Sequence, residues 1–205
     1  DLVISGSTSG RTFADFQRRA AVLACQPDMG SLTLGSLNFP TQASVNAPAM
    51  IEQLARAMTQ RGIVPELECF EVGMVDYARD WLLRKGIINK PLYFNLLLGN
   101  RGTLAARPQN LQAMVAALPD SATWAATGIG RYQFQVQQWA VDTGGHVRVG
   151  LEDNLYLDDE RTTPATNARL IDRLVEYARS CGRTPATCAE ARRMIGLEAG
   201  AGIVR

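Results

Sequence analysis

Two periods alternate along this chain. Short runs that repeat every two residues, or are apolar throughout, give way to longer segments whose apolar positions recur every three or four residues. Residues 2–5 read as a strand and 12–24 as a helix. A short strand at 31–34 precedes a helix at 48–61, whose Ile51, Leu54 and Met58 share one face. A strand at 65–70 leads into a helix at 72–85. Residues 92–98 are an almost unbroken apolar run, the mark of a strand buried on both faces. A helix at 109–117 follows, then a strand at 123–127 and a helix at 132–142. The last pair is a strand at 146–149 and a helix at 167–180. A short final helix, 188–195, is capped from Thr187.

This gives six βα units of about 34 residues, close to the spacing of a (β/α)8 barrel. Strict alternation implies a parallel sheet. The fold expected is an α/β TIM barrel, here about six βα units with the first two missing. Residues 1–205 then form a single domain, the C-terminal three quarters of the barrel. The chain opens at Asp1, with no methionine, directly on an apolar run, so its N-terminus reads as cut or processed. The alternative is an open doubly wound sheet, but the chain has neither a GxGxxG fingerprint nor a Walker-type loop. Glycines instead recur just after the strands, at Gly6, Gly10, Gly35, Gly73, Gly99, Gly128 and Gly150. Loops at that end carry the sites of such barrels.

Composition narrows the classes. Hydrophobic residues make up 46% of the chain, enough for a large core. With 21 Lys+Arg against 20 Asp+Glu the net charge is +1, which argues against a nucleic-acid surface. No apolar run approaches the roughly 20 residues of a membrane span, and no signal peptide is visible. The expected location is the cytoplasm, with Cys25, Cys69, Cys181 and Cys188 as reduced thiols, although Cys181 and Cys188 are near enough in sequence to pair. There is one histidine, His146, so no all-histidine metal site can be built from this chain. At the start of its strand it reads as structural.

The run GGHVRVGLEDN, residues 144–154, is the richest in chemistry. It ends a strand and presents Glu152 and Asp153 beside Arg148. Two adjacent carboxylates and a guanidinium offer a metal ligand, a base and a cation that tunes the base. The plainer reading is a surface ion pair closing a strand. The loop SGSTSG, residues 5–10, has hydroxyls and N–H groups suited to a carboxylate or phosphate, or is a capped turn. Ser31 and Thr33 share a strand face that can point into the barrel, as contacts or as core filler. Glu66 and Glu68 also share a face. Both cannot be buried without partners, so Glu68, nearer the strand end, is placed at the mouth, and Glu66 either joins it or pairs with a cation at the bottom rim. Cys69 lies on the opposite face as a packing thiol. Gly128, Gly130 and Arg131 open a helix in a loop suited to a phosphate or a cofactor tail.

Several segments together resemble the beta-keto acid cleavage enzymes, a family of zinc-dependent (β/α)8 proteins. They are the STSG loop, SLTLGSLNF, PELECFEVG, LLLGNRG, GIGRYQ, GGHVRVGLEDN, TNARL and AEARR, in family order across the chain. The resemblance implies conversion of a β-keto acid and acetyl-CoA to acetoacetate and a new acyl-CoA. It makes Glu152 the third ligand of Zn2+, beside a His-x-His pair expected upstream of this chain. It makes Arg148 and Asp153 catalytic, Asp153 moving the proton and Arg148 holding it ionised and oriented. Ser7 and Gly10 match positions that bind the substrate carboxylate, and Ser31 and Thr33 match further substrate contacts. Thr33 stands where the family commonly has Asn, and Ser9 where it often has Gly. Glu68 corresponds to a pocket acid suited to an amino group on the substrate.

Partners are then a small β-keto acid and a CoA thioester, with neither nucleic acid nor membrane. A homo-oligomer is expected, from the resemblance and from an apolar-rich linker at 37–48 able to cover a neighbour. Two other readings compete. One is a barrel aldolase or isomerase of a phosphorylated sugar; the only lysines, Lys85 and Lys90, are not at strand ends, which disfavours Schiff-base chemistry. The other is a non-catalytic partial barrel that acts as an interaction subunit.

Overall fold

The computed structural model describes residues 2–197. Six strands form one parallel sheet: β1 (Ser5–Gly6), β2 (Met29–Thr33), β5 (Val64–Cys69), β6 (Tyr93–Leu98), β7 (Thr123–Gly128) and β8 (His146–Val147). Two further strands, β3 (Leu37–Asn38) and β4 (Ala43–Ser44), make a separate antiparallel hairpin. The sheet runs β1-β2-β5-β6-β7-β8. This order never reverses, whereas a doubly wound sheet turns back at its switch point. The wall is therefore of the (β/α)8-barrel type, as the sequence period implies.

Register separates the two faces of the wall. Residues level with one another in a parallel ladder point to the same side. Ser31, Glu66, Tyr93 and Thr123 form one layer, and Thr33, Glu68, Asn95 and Ala125 the next. Both face inward. Leu32, Leu67, Phe94 and Trp124 form the intervening outward layer. Leu32, Leu67 and Phe94 are buried beneath the helices. The described α-helices are α1 (Phe16–Ala20), α2 (Pro48–Thr59), α3 (Val72–Tyr77), α4 (Pro108–Ala117), α5 (Gln133–Asp142), α6 (Asn167–Ser180) and α7 (Cys188–Met194). Ile51, Leu54 and Met58 of α2 join this core, as their spacing predicts. So does the Cys69 thiol, whose burial pushes its pKa up.

Several expectations need correction. The first strand is paired only over Ser5–Gly6, and Leu2 and Ile4 are 74% and 45% exposed. The Ile4 carbonyl still accepts the Met29 N–H at 3.0 Å, and ahead of β2 the chain turns at Gln26 (φ 48°). The first helix starts at Phe16 because Asp15 caps it, accepting a bond from the Arg18 N–H; Ala21–Cys25 then tighten into a 3-10 turn. The expected linker at 37–48 contains the β3–β4 hairpin; Leu37 is buried in this chain's own core, while Val45 is 64% exposed.

The last strand is also shorter than expected. Only His146 and Val147 pair with β7. Beyond them, side chains of α5 take over the strand's acceptors. Gln137 Nε2 donates to the Arg148 carbonyl at 2.5 Å, and Gln133 Nε2 to the Gly150 carbonyl at 2.9 Å. Both glutamines are buried. They turn the chain out of the sheet and so aim the LEDN segment over the mouth of the barrel.

Helix α7, with a Thr187–Glu190 capping box, lies across the other end of the wall. Arg192 reaches Asp28, just before β2, at 2.7 Å, and Thr123 at the start of β7 bonds the Met194 carbonyl. Asp28 also accepts the Ile4 N–H. Burial alone would raise the Asp28 pKa, but the bonds from Arg192 and Ile4 and the charge of Arg192 hold it below its ordinary value. Asp28→Asn is expected to lose stability in urea unfolding at pH 7. The deficit should shrink as pH falls below about 4, where the wild-type carboxyl also protonates. A deficit independent of pH would contradict the ion-pair account.

Candidate active site

A cavity of about 450 Å³ opens at the C-terminal ends of the strands. Ser7, Ser31, Thr33, Glu68, Arg148, Glu152 and Asp153 all line it. Seven of the eight residues singled out in the sequence thus come together. Gly10 does not line the cavity. It lies on the side of the loop away from the cavity, where a Cβ would sit 2.9 Å from the Arg19 guanidinium. It can reach a ligand only through its backbone N–H.

Arg148 is the hub. Its Nε and Nη2 grip the two Asp153 oxygens at 2.8 and 3.2 Å. Nη2 also reaches Glu152 at 3.0 Å, and Nη1 reaches Glu68 at 3.3 Å. The Asp153 side chain is 6% exposed and that of Glu152 61%. The two adjacent acids therefore differ in character: one is sequestered, the other open to solvent. Their turn is fixed from below by the Gly130 N–H, which donates to the Asp153 carbonyl at 2.7 Å. Gly128 makes this possible, since a Cβ there would collide with the Tyr132 backbone.

The TGIGRYQ loop, read from the sequence as suited to a phosphate or a cofactor tail, meets this cavity only through Ile129. The Gly130 N–H is already used, and Arg131 does not line the cavity but lies beside the Tyr132 ring. His146 is not around the cavity either; burial, with Arg183 nearby, lowers its pKa.

Charge and burial set the acidities. Burial opposes the Arg148 charge, but Asp153, Glu68 and Glu152 outweigh it and raise its pKa. Asp153 departs from the simple expectation that arginine holds it strongly ionised. Burial raises its pKa above the ordinary value in spite of Arg148. Glu68 is pushed up to about 7, first by burial and then by Glu66, with the Thr33 hydroxyl bond and Arg148 pulling the other way. Thr33 Oγ1 donates to Glu68 at 2.7 Å.

Among the described residues Glu66 pairs with no bottom-rim cation. It accepts from the Ser5 hydroxyl at 3.0 Å and from Asn95 Nδ2 at 2.8 Å. Asn95 is 1% exposed, and its Oδ1 has no donor among the described residues.

Sequence reading missed Arg11. From the loop after β1 it crosses the mouth to Glu152 at 2.9 Å and lies over the Phe39 ring at 4.8 Å. It also missed Gln133 and Gln137, whose polar character on a buried helix face was the available signal. Among the described residues no three His, Cys, Asp or Glu side chains lie close enough together to hold a metal ion. Glu152, an open carboxylate at the cavity, suits one donor position of a zinc site but does not complete one.

Glu68 supplies a test of these electrostatics. Between its ordinary range and about 7 the folded protein binds more protons than the unfolded chain. Stability should therefore fall as pH rises through that window, by an amount on the order of 3 kcal/mol. Urea unfolding at pH 5 and pH 8 should show this fall in wild type and much less of it in Glu68→Gln. Equal slopes in the two proteins would refute the assignment.

Comparison with known proteins adds an independent line. The sequence pattern of the family described as beta-keto acid cleavage enzyme matches residues 1–197. A 3-keto-5-aminohexanoate cleavage enzyme of Fusobacterium nucleatum is 36% identical over 199 residues, covering 97% of this chain and 72% of that protein. A 3-oxoadipate:acetyl-CoA acetyltransferase of Cupriavidus necator is 36% identical over 200 residues, covering 96% of this chain and 69% of that protein. Among solved structures, the ternary complex of ObcA with a C4-CoA adduct and oxalate superposes with a TM-score of 0.76 at 23% identity. It covers 95% of this chain, which spans about half (52%) of the ObcA chain and shares its fold.

Proposed function

The chain belongs to the beta-keto acid cleavage enzyme family, and from that premise we propose that it takes part in converting a β-keto acid and acetyl-CoA to acetoacetate and a new acyl-CoA. The observation that carries this reading is the gripping of buried Asp153 by Arg148 at the cavity, beside the open Glu152. The names of the relatives support the co-substrate: one is an acetyl-CoA acetyltransferase and another a 3-dehydrocarnitine:acetyl-CoA trimethylamine transferase.

Asp153 is assigned the proton transfer at the carbon acid. Burial makes it a stronger base than an ordinary carboxylate, which brings it nearer the working pH. The Arg148 fork fixes which oxygens are presented and steadies the charge when the proton leaves again. Ser7, with the Gly10 N–H, is assigned the substrate carboxylate, and Ser31 and Thr33 the groups beyond it. Thr33 gives its proton to Glu68, so toward a ligand it acts as an acceptor. Glu68, with Glu66 behind it, suits a donor such as an amino group on the substrate.

Zinc dependence is part of the proposal, with Glu152 as this chain's donor. When bound, the metal would polarise the keto oxygen. A homo-oligomer in the cytoplasm completes the reading. No described helix is long and apolar enough to cross a membrane.

Steady-state kinetics and metal content in the full-length enzyme test these roles. Asp153→Asn and Arg148→Met should each lower kcat by about 10²–10⁴-fold with zinc content kept. Glu152→Gln should lose zinc. Wild-type kcat in the first two variants would reduce the pair to a structural ion pair. Full zinc occupancy with normal turnover in the third would remove Glu152 from the metal.

A further inference from the structure

Arg19 is 3% exposed and lies in α1, the helix that follows the SGSTSG loop. Its Nε donates to the Thr8 carbonyl at 2.9 Å, Nη2 to Asn46 Oδ1 at 2.6 Å and Nη1 to the Val45 carbonyl at 3.3 Å. All three acceptors are neutral. Among the described residues Arg19 makes no ion pair with a carboxylate, in contrast to buried Arg192 and to Arg148. Burial lowers its pKa, but a guanidinium starts so high that it stays charged. Among the described residues the fold therefore gives this buried positive charge hydrogen bonds but no counter-ion, an arrangement that costs stability.

Its position suggests why. The loop stands between this charge and the cavity. On one side Gly10 lies against the guanidinium, and any larger residue there would meet both it and the Val45 carbonyl. On the other, Ser7 and Ser9 line the cavity. The Thr8 N–H donates to Ser31 Oγ at 3.0 Å and its hydroxyl to the Ser31 carbonyl, so the same residue that Arg19 holds also fastens the loop to β2. Through Asn46, which bonds Ser36 and Gly35, Arg19 ties the loop to the segment that follows the hairpin. A ligand anion in the loop would supply the missing counter-charge without touching Arg19.

We propose that Arg19 is a positioning residue that sets anion preference: it holds the SGSTSG loop in place and supplies the positive charge behind it that favours a carboxylate over a neutral group. This rests on reading the loop as the carboxylate site. Its action is on binding, so KM should move more than kcat.

The test uses the full-length enzyme with two probes, acetoacetate and its neutral amide, acetoacetamide, each measured by isothermal titration. Wild type should prefer acetoacetate. Arg19→Gln should weaken acetoacetate by about tenfold or more while leaving acetoacetamide within about twofold, and its rise in KM should exceed its fall in kcat. Arg19→Lys keeps the charge with poorer bonding. It should keep the preference for acetoacetate even where both probes bind more weakly, and it serves as the test if Arg19→Gln does not fold. Equal losses for the two probes in Arg19→Gln, or a preference abolished in Arg19→Lys, would overturn the inference while leaving the site reading intact. A wild-type enzyme that binds neither probe would overturn the site reading and this inference with it.

Discussion

The Arg148 guanidinium is the contact on which the mouth of this barrel depends. Three carboxylates, on Glu68, Glu152 and Asp153, converge on one cation. Like charges this close in a partly dry site repel strongly unless a cation lies between them. Much of the surrounding structure serves to keep Arg148 and its acids in register. Gln137 and Gln133 take the carbonyls on either side of Val149, and Gly130 takes that of Asp153. Strand β8 stops after two residues: the Arg148 N–H still reaches the Ala126 carbonyl of β7, but the carbonyls of Arg148 and Gly150 are taken by the glutamines. The same turn leaves Glu152 in solvent while burying Asp153 next to it.

The wall behind this site is unusual in its inner face. Parallel sheets are commonly apolar on both sides, and the outward layers here obey that rule. The inward layers carry Ser31, Thr33, Glu66, Glu68 and Asn95 instead. Burying such groups is tolerable only when they are bonded. The Thr33–Glu68 and Ser5–Glu66–Asn95 contacts meet most of that need. What they do not remove is the cost of burying Glu68 and, after it, the repulsion from Glu66, which together push the Glu68 pKa up to about 7. Stability is thus given up at the positions that face the cavity. The opposite end compensates, with α7 fastened to β2 and β7 through Asp28 and Thr123.

Two walls of the cavity are built by different means. The Arg148 wall is held by opposite charges in contact. The wall formed by the loop after β1 is held by a buried arginine bonded, among the described residues, only to neutral oxygens. Arg11 joins the two across the mouth through Glu152. A site of this kind presents acids and donors on facing sides, which suits a ligand with an anionic end and a proton to lose.

The sequence alone determined the order and type of the βα units, and it identified most of the candidate site. Period two and period 3.6 report which face of an element is buried, so Ser31 with Thr33, Glu66 with Glu68, and the outward Cys69 were legible from spacing. Arg148, Glu152 and Asp153 were legible because they are near one another in the chain. Only the tertiary structure decided the partners. Spacing places a side chain on a face but does not say what a distant segment brings to meet it. That is why the Arg11–Glu152 bridge over 141 positions, the Asp28–Arg192 pair over 164, the hairpin over the first loop and the two glutamines that end β8 were not foreseen. The raised pKa of Asp153 belongs to the same class. Acidity depends on how much water the whole fold excludes, and no local pattern carries that quantity.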